Sequence, residues 1–422
     1  MKLLIRTVAL TSLILSSSLF GQTKDIPRPN QNSESEKELL SSQDKEKKSI
    51  EPIENPNQKE KGKLLSGPYE AKFGFFIDTY YNNNLNRPRN TRERDFTTQA
   101  VRNNEFNINL AHLEGTITSE RFRGRVAIQF GTSVNANYAA ESTTEKTSNQ
   151  FSVRNMQETY GGLKFGKSTW VDAGIYLSHI GYESWISHDN FVYTRSLSLD
   201  YVPYYISGVR LHHDLGQKFS FELHVINGWQ IVTDNNRDVS GGFRIEWKPT
   251  NTFFLRWNTF MGNENPSQVA KEMRYYNNFV TEWKPSDSLT LAASFDVGYQ
   301  ERAYEKDLIY LPSGPTYIQK DSNAFRQWYS GNLWIGYRFL QDWRIGTRIE
   351  RFVDREQVVA STGTRDGFQT GGGTVTLDYN PDPAILARLT YQYRRSMDPI
   401  FAYSSGHSRE ERLLIFSLSL KI

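Results

Sequence analysis

The 422-residue chain has no cysteine. That excludes a disulfide scaffold, a thiolate zinc site, an iron–sulfur cluster and a cysteine nucleophile. After the first 21 residues it also lacks any run of 18 or more apolar residues, which excludes a bundle of membrane-spanning helices. Charge of one sign is missing too: 50 Lys and Arg against 47 Asp and Glu leave +3, so bulk electrostatics do not point to nucleic acid. The 7 histidines are His112, His179, His188, His212, His213, His224 and His407. None stands in the Ser/His/acid arrangement that nucleophilic catalysis needs. His212 and His213 are strand neighbours and point to opposite faces. No metal-ligand spacing or phosphate loop occurs, and Gly371-Gly372-Gly373 falls inside a strand pattern, where it marks a bend or bulge. Neither catalysis nor a cofactor is expected. What is abundant is aromatic: Phe 25, Tyr 23 and Trp 9, at a mean hydropathy of −0.61. A soluble core leans on Leu, Ile and Val, whereas this mixture suits a structure greasy outside and wet inside.

The first 21 residues read as a secretory signal, with Lys2 and Arg6 before an apolar stretch over Val8–Leu15 and small polar residues up to Gly21. Segment 22–66 is Ser, Gln, Asn, Pro, Lys and Glu, with 9 basic and 9 acidic residues. It has almost nothing to bury and is expected to be a disordered periplasmic tether. With two basic residues in the signal and a balanced tether, residues 67–422 keep a net +1 of the total +3.

From residue 67 onward the hydropathy alternates with period two. In 121–131, Phe122, Val126, Ile128 and Phe130 oppose Arg121, Arg123, Arg125 and Gln129. A strand sends these two sets to opposite faces. The same holds for Phe219, Phe221, Leu223 and Val225 against Glu222 and His224, for Trp343, Ile345 and Ile349 against Arg344, Arg348 and Glu350, and for the closing Leu414, Phe416, Leu418, Leu420 and Ile422. About 16 such segments occur; registers are mixed at 105–117, 156–167 and 274–284. Their connections alternate between short ones and long ones at 83–104, 132–155, 180–203, 228–239, 263–273, 300–324, 354–368 and 396–410. Short turns on one rim, long loops on the other and an even strand number predict an all-β fold, a transmembrane antiparallel barrel of about 16 strands. The short turns are then periplasmic and the long loops extracellular. Phe219, Trp247, Phe253, Trp283, Trp343 and Tyr379 flank short turns on the outward face, with Tyr81, Phe130, Tyr299 and Tyr393 near the long loops, as two interfacial belts would require. A soluble sandwich or propeller also alternates, but its loops need not sort by length.

The inward positions are Asp78, Arg123, Arg125, Asp172, Glu222, Arg244, Glu246, Arg256, Glu282, Asp296, Arg338, Arg344, Arg348, Glu350, Asp378, Arg388 and Arg394. Such a mixed-sign wall serves equally as a rigid ladder of ion pairs and as the lining of a water-filled pore. A barrel of this size has room for the pore. The third long loop, 180–203, is the richest in polar and aromatic residues. Glu183, Asp189 and Arg195 are its candidates for a constriction if it folds inward.

Gly74-Phe75-Phe76-Ile77-Asp78-Thr79-Tyr80-Tyr81, then Asn86-Arg87-Pro88 and Asn103-Asn104-Glu105-Phe106-Asn107-Ile108-Asn109-Leu110-Ala111, resemble the beta-barrel porin type 2 (OmpL-like) outer-membrane family. So do Glu183-Ser184-Trp185, Asp189-Asn190, Tyr193-Thr194-Arg195-Ser196, Pro203-Tyr204-Tyr205, Gly208-Val209-Arg210-Leu211 and Asn227-Gly228-Trp229. The likeness spans about 70–422 and implies a porin-like barrel. The terminal Ile422 departs from the Phe or Trp with which many such barrels end. The expectation is an outer-membrane porin passing small hydrophilic solutes by diffusion. Its partners would be outer-membrane lipid, the outer-membrane assembly machinery, those solutes and, as in many sixteen-strand porins, two further copies in a homotrimer; nucleic acid is not among them. The competing expectation is a surface-exposed adhesin or ligand-binding barrel without an open pore.

Overall fold

A computed structural model describes residues 69–141, 153–311, 314–321 and 324–422. The expected signal and tether, and part of the second long loop, lie outside these residues. Twenty strands run in chain order: β1 Tyr69–Asn84, β2 Phe106–Ser119, β3 Phe122–Phe130, β4 Met156–Phe165, β5 Thr169–Leu177, β6 Tyr205–Leu215, β7 Phe219–Ile226, β8 Ser240–Thr250, β9 Phe253–Asn263, β10 Met273–Trp283, β11 Leu289–Glu301, β12 Tyr304–Leu311, β13 Gly314–Asp321, β14 Phe325–Leu340, β15 Trp343–Asp354, β16 Phe368–Asp382, β17 Ile385–Ser396, β18 Phe401–Tyr403, β19 Gly406–Ser408 and β20 Glu410–Lys421. Sixteen of them close one antiparallel barrel, each bonded to its neighbour; β12–β13 and β18–β19 are hairpins inside long loops. The barrel shuts where β1 meets β20, from Phe76 opposite Lys421 to Asn84 opposite Leu413. Ile422 extends that seam through two backbone bonds of 2.9 Å with Phe75. Closure removes the free edges that an open sheet would leave unbonded in lipid.

The sequence alternation becomes the two faces of this wall. Leu163, Leu223, Phe295, Leu333, Ile349 and Phe416 are exposed on the outside, while Asp172, Asn258, Arg348 and Arg394 are buried on the inside. Near the short turns the outward rings meet in pairs: Phe219 with Trp247 at 6.2 Å and Trp343 with Tyr379 at 4.8 Å between centroids. Opposite Asp78/Thr79 of β1 and Ala127/Ile128 of β3 the partner strands carry one extra residue each, Asn109 in β2 and Gln157 in β4, and these bulges account for the mixed patterns of segments 105–117 and 156–167.

The interior is less uniformly wet than alternation implies. Strand residues Phe76, Tyr176, Ile206, Phe260, Tyr276, Trp328 and Phe352 point inward and join loop residues Trp185, Leu197, Phe368 and Phe401 in one buried apolar cluster. Long loops therefore fold into the mouth of the barrel and pack there through apolar contact.

Candidate functional site

Two structures meet in the lumen: the strand wall and the third long loop, which runs between Leu177 and Tyr205. The loop leaves the long-loop end and descends to the opposite rim. At its lowest point the Arg388 guanidinium donates to the carbonyls of Ser187 and Asn190, each at 2.6 Å, and Arg344 donates to Asn190 at 3.0 Å. Lys421, the last residue of β20, pairs with Asp189 at 2.6 Å, and His188 Nδ1 lies 3.1 Å from Ser419 Oγ. Asp78 of β1 accepts from Ser187 at 2.8 Å, Asn109 at 2.9 Å and Tyr193 at 3.2 Å.

Higher up, Glu183 binds back to its own loop, accepting from the Ser196 hydroxyl at 2.6 Å and backbone N–H at 2.8 Å. It also takes Trp334 Nε1 at 3.2 Å and Arg348 at 3.1 Å. Arg348 further donates to the carbonyl of Thr194. Glu350 accepts the Leu197 N–H at 2.7 Å and Arg394 Nε at 3.1 Å, opposite a short helix, Leu197–Asp200, capped by Ser196. Two facing glycines make room for the loop. A Cβ on Gly346 would stand 1.8 Å from the Phe191 carbonyl, and one on Gly336 would stand 2.6 Å from the Phe191 ring.

The sequence-expected residues thus divide. Asp78, Arg348, Glu350, Asp378, Arg388 and Arg394 point inward as alternation requires, but the loop covers them and they are buried. Of the constriction candidates, Arg195 is wholly enclosed between the rings of Trp185 and Tyr204, at 4.7 and 4.2 Å, and the Glu183 carboxylate is consumed by the contacts above. Neither side chain faces water, because apolar rings and paired guanidiniums surround both. Asp189 is half-exposed beside Lys421. Glu282 touches the loop through the Tyr182 hydroxyl at 2.6 Å, and Asp296 is held by Tyr276, Asn278 and Ser330 within the wall. Arg338 stands exposed at the short-turn rim.

The rest of the wall, from β2 to β9, carries a different ladder. Arg123 and Arg210 both grip Asp172 at 2.6 Å. Arg125 pairs with Glu114 and, at 2.7 Å, with Glu158. Arg256 and Arg244 share Glu246 at 2.6 and 3.1 Å, and Glu222 accepts from the His212 side at 3.2 Å. Here most guanidiniums overhang the carboxylates they grip: Arg123 and Arg244 keep 25 and 24% of their side-chain surface, against 0% for Asp172, 11% for Glu222 and 13% for Glu246, while Arg125 and Glu114 are nearly level at 29 and 26%. A cavity of about 160 Å³ separates Arg244 and Arg256 from the loop at Tyr182–Trp185 and Tyr204. Sequence reading missed Arg210, Glu114 and Glu158. The outward Val209 and Leu211 around Arg210 carried its signal, while Glu114 and Glu158 lay in the segments whose registers the bulges obscure.

Solved structures share this architecture. The outer-membrane channel DcaP of Acinetobacter baumannii is 12% identical, with 84% of this chain and 97% of that chain covered at a TM-score of 0.54. The Salmonella typhi OmpF complex with daunomycin is 10% identical, with 84% and 98% covered at 0.52. The anion-selective porin from Comamonas acidovorans is 7% identical, with 84% and 100% covered at 0.54. At these identities the likeness is one of fold. No curated protein matches the chain. The family model described as "Putative beta-barrel porin-2, OmpL-like" matches residues 70–422, almost the whole described chain. With its closed sixteen-strand wall, greasy outside and charged within, the chain is a multi-pass barrel of the outer membrane and belongs to that porin family.

Proposed function

We propose that this porin passes small hydrophilic solutes by diffusion along the half of the lumen the third loop leaves uncovered, with a mild preference for anions. The observation that carries this is that Arg123, Arg210, Arg244 and Arg256 are each more exposed than the carboxylate they grip, Asp172 or Glu246. The pairs are close to neutral in sum, but the groups nearest the water are cationic, and in a narrow low-dielectric lumen a passing ion feels the nearest charge most. The constriction in this reading is the body of the loop facing Arg244 and Arg256, not the charges of Glu183 and Arg195. No step of solute passage needs a bond made or broken, so the protein acts as a channel and not as an enzyme. One of the solved neighbours, OmpT of Vibrio cholerae, is recorded in a trimer form with a TM-score of 0.52 and 7% identity; by analogy of fold alone, this barrel also assembles as a homotrimer.

Planar-bilayer recording tests the proposal. Ohmic steps with a reversal potential displaced toward the anion potential under a salt gradient support it, and a displacement toward the cation potential removes the charge argument. Deleting 184–196 is expected to raise single-channel conductance several-fold. The apolar cluster inside the mouth favours a second reading, a surface-exposed binding barrel without an open pore. Folded protein that never conducts, before or after that deletion, decides for it.

A further inference from the structure

The lipid-facing surface holds a groove of about 680 Å³ across β8, β9, β10, β11, β14 and β15. One cross-strand row follows it: Ile245, Trp257, Phe279, Phe295, Gly331 and Arg351, each opposite the next. Five strand spacings make that row about 24 Å long. Strand tilt makes it oblique to the membrane. Trp247, at the β8 end of the groove, sits three residues before that strand's short-turn end, and Arg351 sits three residues before the long-loop end of β15. The groove thus climbs from the inner aromatic belt to an arginine near the outer interface. Its walls are aromatic, and its floor drops at Ala293 and Gly331, where a Cβ on Gly331 would have nothing within 4 Å.

Arg351 is out of place on such a surface. A cation on the lipid face is unfavourable unless it reaches the interface or meets an opposite charge. Among the described residues no carboxylate pairs with it. Its side chain instead lies across Gly371, whose Cβ would stand 3.2 Å from Arg351 Cδ. On the far side of Gly371 is the outward Arg395, 65% exposed, whose one carboxylate neighbour, Glu410, is 3.9 Å away and held more closely by Arg412 at 2.6 Å. Two guanidiniums therefore flank a residue without a side chain at the upper end of an apolar groove.

We propose that this is a binding site for one anionic lipid of the outer membrane, its phosphate held over Gly371 by Arg351 and Arg395 and one acyl chain laid along the groove. Guanidinium matches phosphate in geometry as well as charge, and Arg351 belongs to the lining of the groove itself. One ligand with an anionic head and an apolar tail answers both features. This rests on the outer-membrane location and not on the conductance reading.

The test is lipid retention by the full chain refolded in detergent, read by native mass spectrometry. Three probes separate the contributions: dioleoylphosphatidylglycerol, dioleoylglycerol and inorganic phosphate. Phosphatidylglycerol is expected to be retained in a 1:1 complex, at least tenfold more tightly than either of the others. Arg351→Ala is expected to weaken it about tenfold. Gly331→Phe, whose Cβ meets nothing within 4 Å, is expected to do the same while heat-modifiable migration and conductance stay as in the wild type. Retention unchanged in both variants overturns the proposal. So does inorganic phosphate competing on equal terms, which means a free-anion site. So too does Gly331→Phe dissociating an oligomer without loss of lipid, which makes the groove a contact between copies. Loss of conductance bears on the proposed function alone.

Discussion

The two halves of the lumenal wall are built from the same residue types and end in opposite states. Beneath the third loop, Arg348, Glu350 and Arg394 are buried, and their partners include backbone carbonyls and N–H groups of the loop. Across the lumen, Arg123, Arg125, Arg244 and Arg256 pair only within the wall and keep part of their surface in water. The lesson is that an inward arginine has no fixed role. Where a loop covers it, its charge serves as an anchor, and removing one partner leaves an unpaired charge in a dry site. Where no loop covers it, the same group is partly solvated, so its loss is softened by water, and it is free to act on solutes.

Changes on the covered side should hurt most. Arg348→Ala strands Glu183 without a counter-charge and leaves Glu350 to Arg394 alone; destabilisation of about 3–5 kcal/mol is expected, read as a lower midpoint in thermal or urea unfolding of the detergent-solubilised barrel. An unchanged midpoint would mean that water reaches these carboxylates and that the two walls do not differ. Next comes Gly346→Val. It drives a side chain into the Phe191 carbonyl and is expected to cost about 1–3 kcal/mol through overpacking. Because the loop must lift, conductance should rise together with protease sensitivity at 184–196. A rise in neither places the loop elsewhere.

On the open side the expectation inverts. Arg244→Ala with Arg256→Ala should destabilise less than Arg348→Ala, because water of the lumen reaches the carboxylates left behind, yet shift the reversal potential toward cation preference, because Glu222 and Glu246 are uncovered. Loss of stability without a shift in selectivity would erase the distinction between the walls. The smallest effect belongs to the first long loop, outside both. There the Arg102 guanidinium, 2.8 Å from Glu105, holds that carboxyl down to about 2. A depressed carboxylate contributes fully above the ordinary range and loses its contribution as pH falls from about 4.5 through about 2. Because both side chains are part-exposed, Glu105→Gln should leave unfolding at neutral pH nearly unchanged and flatten only this acid limb.

How far the residues alone reach can be judged from particular places. Period-two runs such as Phe219–Val225 located strands to within a residue or two, since a wall one layer thick must send alternate side chains to lipid and water. The even strand number and the closed barrel followed from the sorting of loop lengths. Where β2 and β4 bulge, at Asn109 and Gln157, the period broke, and Glu114 and Glu158 went unseen. For the third loop, composition marked the segment but could not tell a charge that lines a pore from one that fastens a loop. Glu183 and Arg195 look alike in either role until Arg348, Trp185 and Tyr204 are set around them.

By itself, then, the order of residues determined the barrel, its location and which face the residues of the regularly alternating strands take, because these follow from local alternation and from the length of what joins the strands. Only the tertiary structure decided which inward charges are covered, where the loop comes to rest and that an outward arginine closes a lipid-facing groove. Those depend on residues such as Asp78 and Ser187, or Gly331 and Arg351, that are far apart in the chain or on separate strands and meet only after closure.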